Sequence, residues 1–158
     1  MNIIDELLAL VTEFEASQLD YAVCGGLALA AHGHVRYTGD IELLIPVEQL
    51  ARAVEAARRR GFTLVDRRSS LGAETERERS IHRMSKAEGA VVMKLELVTI
   101  DPVHDATWRE RARVRWRDRQ LGLVSCSGLI RMKRAAGRPQ DLVDVQTLER
   151  GTEEETDG

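Results

Sequence analysis

The sequence predicts a mixed α+β chain in which short apolar strands are interleaved with amphipathic helices and helices close the C-terminal end. Three observations predict it. Apolar residues recur at helical spacing over residues 3–17, strand-length apolar runs bounded by glycine, proline or polar residues recur between 19 and 124, and from Ser127 the pattern is helical again.

In the first helix Ile4, Leu7, Leu8, Val11 and Phe14 line one face. Leu19 to Cys24 is a short strand ended by Gly25-Gly26. The Ala/Leu-rich stretch after the glycines is a short helix stopped by Gly33. IELLIP is a buried strand closed by Pro46. Val47, Leu50, Ala51, Val54 and Ala57 mark the next helix, which ends at Arg60-Gly61 with cations at its negative pole. Phe62 to Asp66 is a strand, and residues 67 to 80 form an exposed, mobile loop. Ile81–Met84 and AVVMKLELV form a hairpin around KAEG. VRWRDRQLGLV forms a second, turning near Asp118. GLIRMKRAA and DLVDVQTLER are helices separated at Gly137-Arg138-Pro139. Residues 1–150 read as one domain, and 151–158 as a disordered acidic tail with nothing to bury.

The bulk numbers exclude several classes of protein. The chain has 158 residues, 43% of them hydrophobic, which is enough for a real core. A formal net charge of -3 leaves nucleic-acid contact to a local basic surface. Cys24 and Cys126 give neither a disulfide framework nor a metal knuckle, and Cys24 reads as a buried small hydrophobe. The N-terminus has no basic segment before its apolar residues, and no apolar run approaches the roughly 20 residues that span a bilayer. A cytoplasmic protein with no membrane partner is expected.

The most informative stretch is CGGLALAAHGHVRYTGDIELLIP. A strand, a glycine pair and a helix start let backbone N–H groups approach a phosphate, though most such pairs are only turns. Asp40 and Glu42 add weight. Side chains alternate along a strand, so both carboxylates face one way while Ile41 and Leu43 face the core. Two adjacent carboxylates repel unless a cation joins them, and oxygen-only ligands suit Mg²⁺ or Mn²⁺. A solvated strand face is the plainer reading, but the LLIP run marks this strand as central.

Cys24-Gly25-Gly26 followed by Asp40-Ile41-Glu42-Leu43 resembles the signature of the DNA polymerase β-like nucleotidyltransferase superfamily, with the spacer at the long end of the family's range. His32-Gly33, Arg36, Thr38 and Asp40 fall where a small prokaryotic branch, similar to AbiEii-type nucleotidyltransferase toxins, has them. The segment KRAAGRPQDLVD also resembles the helical segment that closes that branch. The resemblance covers roughly residues 20–150. It implies a polymerase β palm-like fold, with a central mixed or antiparallel sheet flanked by helices. It implies transfer of a nucleoside monophosphate from a nucleoside triphosphate to a hydroxyl on RNA, protein or a small molecule. It also implies a toxin-antitoxin or phage-defence role with an antitoxin partner. Asp40, Glu42 and a third carboxylate would be catalytic and hold the metal. Gly25, Gly26, Arg36, Thr38, Lys133 and Arg138 would bind nucleotide. Glu96 is the candidate third acid, with a pairing to Lys94 as its plain alternative and Asp101 as fallback. Close relatives usually carry Asp where this chain has Glu42, although the wider superfamily accepts Glu there, and the third acid is also usually Asp, so a weakened enzyme serving as a nucleotide-, RNA- or partner-binding module is the second expectation.

Other residues carry less. Arg36 equally reads as the partner of a nearby acid, and Arg138 as a cap at the helix break. Asp141 reads as the start or N-cap of the last helix, and Asp144 as part of a charged helix face. His32 and His34 lack further ligands. Arg113, Arg115 and Arg117 would share a strand face and hold RNA or tRNA, or else solvate an edge strand.

Overall fold

The first helix starts at Asn2, whose side-chain oxygen accepts from the backbone N–H of Ile4 at 2.9 Å and of Asp5 at 3.2 Å. These are donors that a helix start leaves free. The computed structural model describes residues 1–66 and 80–157, with side chains as far as 151. The loop read over 67 to 80 therefore lies, but for Ser80, outside the described residues. Helix α1 (Ile3–Ala16) buries Leu7, Leu10, Val11 and Phe14. It is followed by β1 (Ala22–Cys24), α2 (Gly25–Ala31) and β2 (Asp40–Pro46). A single turn leads into α3 (Leu50–Arg59) and β3 (Leu64–Asp66). The chain continues through the hairpin β4 (Ser80–Glu88) and β5 (Val91–Ile100), then α4 (Ala106–Arg109). A second hairpin, β6 (Ala112–Trp116) and β7 (Arg119–Leu123), precedes α5 (Cys126–Ala136) and α6 (Pro139–Asp157).

The strands form one seven-stranded mixed sheet in the order β3-β4-β5-β2-β1-β7-β6. β2 runs parallel to β5 and β1 parallel to β7; the other neighbours are antiparallel. Ile41, Leu95 and Met84 stand in register across β2, β5 and β4, and all three are buried. They face α1: Lys86, on the same side of β4 as Met84, pairs with Glu6 of α1 at 2.9 Å. On the opposite face Leu44 and Val98 are buried toward the C-terminal ends of β2 and β5, whereas Glu42 and Glu96 remain partly open nearer the start. The mixed α+β reading is thus correct, and both hairpins form, though the first turns at Gly89-Ala90 and keeps Lys86, Ala87 and Glu88, read as its turn, in β4.

Three details differ from expectation. α4 has four residues, too short to show a period; Asp105 caps it by accepting from Thr107 N at 2.9 Å and Trp108 N at 3.3 Å. The second hairpin turns through Arg117 (φ 50°) and Asp118 (φ 66°), both left-handed, as a two-residue turn between twisted strands requires. Arg117 therefore leaves the strand and does not continue the face of Arg113 and Arg115. The acidic stretch read as disordered is helical through Asp157. A helix already started adds residues at little cost, and glutamate is a good helix former.

Candidate active site

Strand register assembles the site. Cys24 of β1 pairs with Glu42 of β2, Glu42 with Glu96 of β5, and Glu96 with Arg83 of β4. Residues in register share a face, and neighbouring strands lie about 4.8 Å apart, so Glu42 and Glu96 stand side by side. Asp40 is on the same face of β2, in register with Lys94. The glycine pair closes against them. Gly25 has φ 66°, and a Cβ there would lie 1.5 Å from Oε2 of Glu42. A Cβ on Gly26 would meet Oγ1 of Thr38 at 2.7 Å and Nη1 of Arg36 at 3.6 Å. Only bare backbone fits this corner.

Among the described residues, the carboxylates of Asp40 and Glu42 accept no hydrogen bond and make no ion pair. Burial, then the neighbouring Glu96, push the Glu42 carboxyl up to about 7, with Asp40 adding to the rise while Lys133 and Arg138 oppose it. A carboxyl this short of partners sits where a cation would relieve it. Glu96 differs. Its Oε1 accepts from Arg83 Nε at 3.2 Å, with the two side chains about one-fifth exposed (19% and 24%). The partner is therefore Arg83 rather than Lys94, which is exposed and stands opposite Asp40. Asp101, the fallback, lies away from Asp40 and Glu42. It follows Ile100, which pairs with Pro46 at the far end of β2, and it binds His104 at 2.7 Å.

The helices α5 and α6 bring in the C-terminal motif. Ser125 caps α5, Gly137 ends it in a left-handed conformation, and Pro139 starts α6. Lys133 is buried and pairs with Asp144 at 2.8 Å and Asp141 at 3.7 Å. Arg36 grips Asp144 with two bonds of 3.0 and 2.8 Å. Arg138 holds Asp141 with bonds of 2.7 and 3.3 Å from its guanidinium, and its backbone N–H donates to the same carboxylate at 3.2 Å. Asp141 thus caps the helix start, as read. Asp144 was read on a charged helix face; it is instead only 2% exposed. Burial alone would raise the Asp144 carboxyl, but hydrogen bonds from Arg36, Lys133 and Gln140 hold it at about 2.

The arginines around β6 are unequally engaged. Arg111 stacks on Trp108 with 3.8 Å to the ring centre, Arg119 pairs with Glu15 at 2.8 Å, and Arg113 lies 3.8 Å from the same carboxylate. Arg115 is exposed. β6 is three strands from β2 in the sheet order, or roughly 14 Å at the usual spacing.

No protein-family model and no curated protein sequence matches the chain. Its fold does match solved structures, nucleotidyltransferases among them: the polymerase β-like fold expected from the sequence is the fold observed. The lincosamide antibiotic adenylyltransferase LnuA, solved with lincomycin bound, aligns with a TM-score of 0.66 at 14% identity, over 92% of this chain and 95% of that one. ANT(2'')-Ia in complex with adenylyl-2''-tobramycin aligns at 0.60 and 14% identity, over 90% and 84%. A Thermotoga maritima protein assigned as a nucleotidyltransferase aligns at 0.58 and 15% identity, over 98% and 96%.

Asp40 and Glu42 offer an oxygen-only donor pair on an open face, which fits Mg²⁺ or Mn²⁺. Among the described residues no group of three or more His, Cys, Asp or Glu closes into a ready cation site, and Glu96 is engaged by Arg83. No helix is long and apolar enough to cross a membrane, among the described residues. Sequence reasoning missed Arg83 and the hub role of Asp144. The first lies on an adjacent strand without a motif. The second was signalled only by the spacing of Lys133, Asp141 and Asp144.

Proposed function

We propose that this chain is a cytoplasmic, metal-dependent nucleotidyltransferase that moves a nucleoside monophosphate from a nucleoside triphosphate to a hydroxyl group and releases pyrophosphate. The observation that carries this reading is the row Glu42–Glu96 beside Asp40 and the bare Gly25–Gly26 backbone, where burial and the neighbouring carboxylates push Glu42 up to about 7. Asp40 and Glu42 would hold Mg²⁺ or Mn²⁺, with Glu96 as third ligand; the ion, when bound, would neutralise phosphate charge and make the acceptor hydroxyl more acidic. Gly25 and Gly26 admit a phosphate oxygen against the backbone. Thr38 and Arg36 border that corner. Arg36 and Lys133 are oriented by Asp144, and Arg138 by Asp141. The acceptor oxygen bonds to the α-phosphorus as the bond to the bridging oxygen breaks. Pyrophosphate leaves, and the hydroxyl proton passes to a site carboxylate, Glu96 for preference.

For the acceptor, a small hydroxyl compound is favoured over RNA. The adenylyltransferases of similar fold are solved with lincomycin and with an adenylylated tobramycin, while Arg113 and Arg115 here lie on β6, three strands from Asp40 and Glu42. RNA or tRNA held by Arg113 and Arg115, a protein acceptor, and a toxin role curbed by an antitoxin protein rest on the sequence resemblance. The Arg83–Glu96 pair specifically favours one second reading, a binding module that takes up nucleotide without transferring it.

Labelled nucleoside triphosphates, Mg²⁺ or Mn²⁺, and panels of aminoglycosides, lincosamides and total tRNA would test both. Label on any acceptor, absent in Asp40→Ala, supports the transferase. Nucleotide binding without transfer to any acceptor supports the binding module.

A further inference from the structure

The cations around the acidic row are not equally committed. Arg36 spends two bonds on Asp144, Lys133 is buried between Asp144 and Asp141, and Arg138 holds Asp141 with two guanidinium bonds. Arg83 is held by one bond, from Nε to Glu96 at 3.2 Å; among the described residues its other guanidinium N–H groups make no hydrogen bond. It stands in register with Glu96 on one side and Asp66 on the other, on the same sheet face as Glu42. A partly exposed ion pair with one bond is a weak contact. A guanidinium on a phosphate makes two parallel charge-assisted bonds and is the stronger pair.

We propose that Arg83 is a phosphate-binding residue whose resting partner is Glu96, so that an arriving triphosphate draws Arg83 away and frees the third carboxylate for the metal. The inference rests on the transferase reading and deepens it. Arg83 positions the site and does not react. Metal and triphosphate then strengthen each other's binding reciprocally, because each favours the arrangement in which Arg83 has left Glu96.

The test is Mn²⁺ titration calorimetry on the full chain, with and without tripolyphosphate, for the wild type, R83M, E96Q and the double variant. Without tripolyphosphate, R83M should bind Mn²⁺ about fivefold tighter or more. The loss caused by E96Q should be at least about fivefold larger in the R83M background than in the wild type. A mere long-range charge effect would make the E96Q loss equal in both backgrounds, and that result overturns the proposal, as does an R83M affinity equal to wild type. Tripolyphosphate should tighten Mn²⁺ binding in the wild type and do so less in R83M. R83K, which keeps the charge but loses the planar fork, covers the case in which R83M does not fold. It should bind tripolyphosphate several-fold more weakly while keeping the weak wild-type dependence on Glu96; tripolyphosphate affinity equal to wild type counts against the proposal. A wild type that takes up no Mn²⁺ under either condition refutes the transferase reading itself, and the Arg83 proposal falls with it.

Discussion

Two acidic clusters in this molecule have opposite electrostatics. Asp141 and Asp144, buried between α5 and α6, are surrounded by Arg36, Lys133, Arg138 and Gln140, and the Asp144 carboxyl is held at about 2. Asp40 and Glu42, on the open face of β2, have no hydrogen-bond or ion-pair partner among the described residues, and Glu42 is pushed up to about 7. The first cluster holds the fold together. The second sets like charges against one another, an arrangement that the proposed metal would relieve. The difference teaches that acids near one another are informative only once their partners are counted.

The comparison can be broken by variants that act on one cluster at a time. The largest expected effect is on transfer: Asp40→Asn should cut labelled-nucleotide transfer at least about a thousandfold, by loss of metal-borne charge stabilisation, while leaving the thermal midpoint near wild type. Asp144→Ala should do the reverse, costing about 3–5 kcal/mol in denaturant unfolding, because buried Lys133 keeps only its 3.7 Å contact with Asp141 and Arg36 loses both of its bonds to the carboxylate.

The pH dependence separates the clusters by sign. Glu42 is raised in the fold, so between its ordinary value of 4.5 and about 7 the folded chain binds the extra proton. Metal-free stability should therefore fall as pH rises through that window and flatten above it, by about 1–3 kcal/mol in total. Glu42→Gln should remove that fall and melt higher than wild type at pH 8. Asp144 is depressed, so its contribution is present above its ordinary value of 3.8 and disappears as pH falls toward about 2.

The smallest effect pairs two glycines of nearly equal φ, 66° at Gly25 and 65° at Gly137. Gly137→Ala meets nothing closer than Arg134 O at 3.6 Å and should cost about 1 kcal/mol of backbone strain, with Mn²⁺ binding unchanged. Gly25→Ala drives a methyl into Glu42 and should lose Mn²⁺ binding as well as stability.

Much of this was legible in the sequence, for a physical reason. Asp40 and Glu42 share a strand, so their common face follows from a period of two, and Gly25-Gly26 announces the corner that glycine alone fits. The hairpins were legible because alternation and turn residues are local. Burial of Asp144 was not legible, because its partner Arg36 comes from the other end of the chain. Nor was the Arg83–Glu96 pair, which depends on the register of β4 against β5. The fallback Asp101 failed for the same reason: parallel pairing of β2 with β5 carries it to the far end of the sheet.

Mn²⁺ uptake by the full chain at pH 8 in the presence of tripolyphosphate, followed by calorimetry, tests the central claim most directly. The account predicts saturable binding in the wild type and in Gly137→Ala, lost in Asp40→Asn and Glu42→Gln. Equal uptake by all four proteins, or none by the wild type, would contradict it.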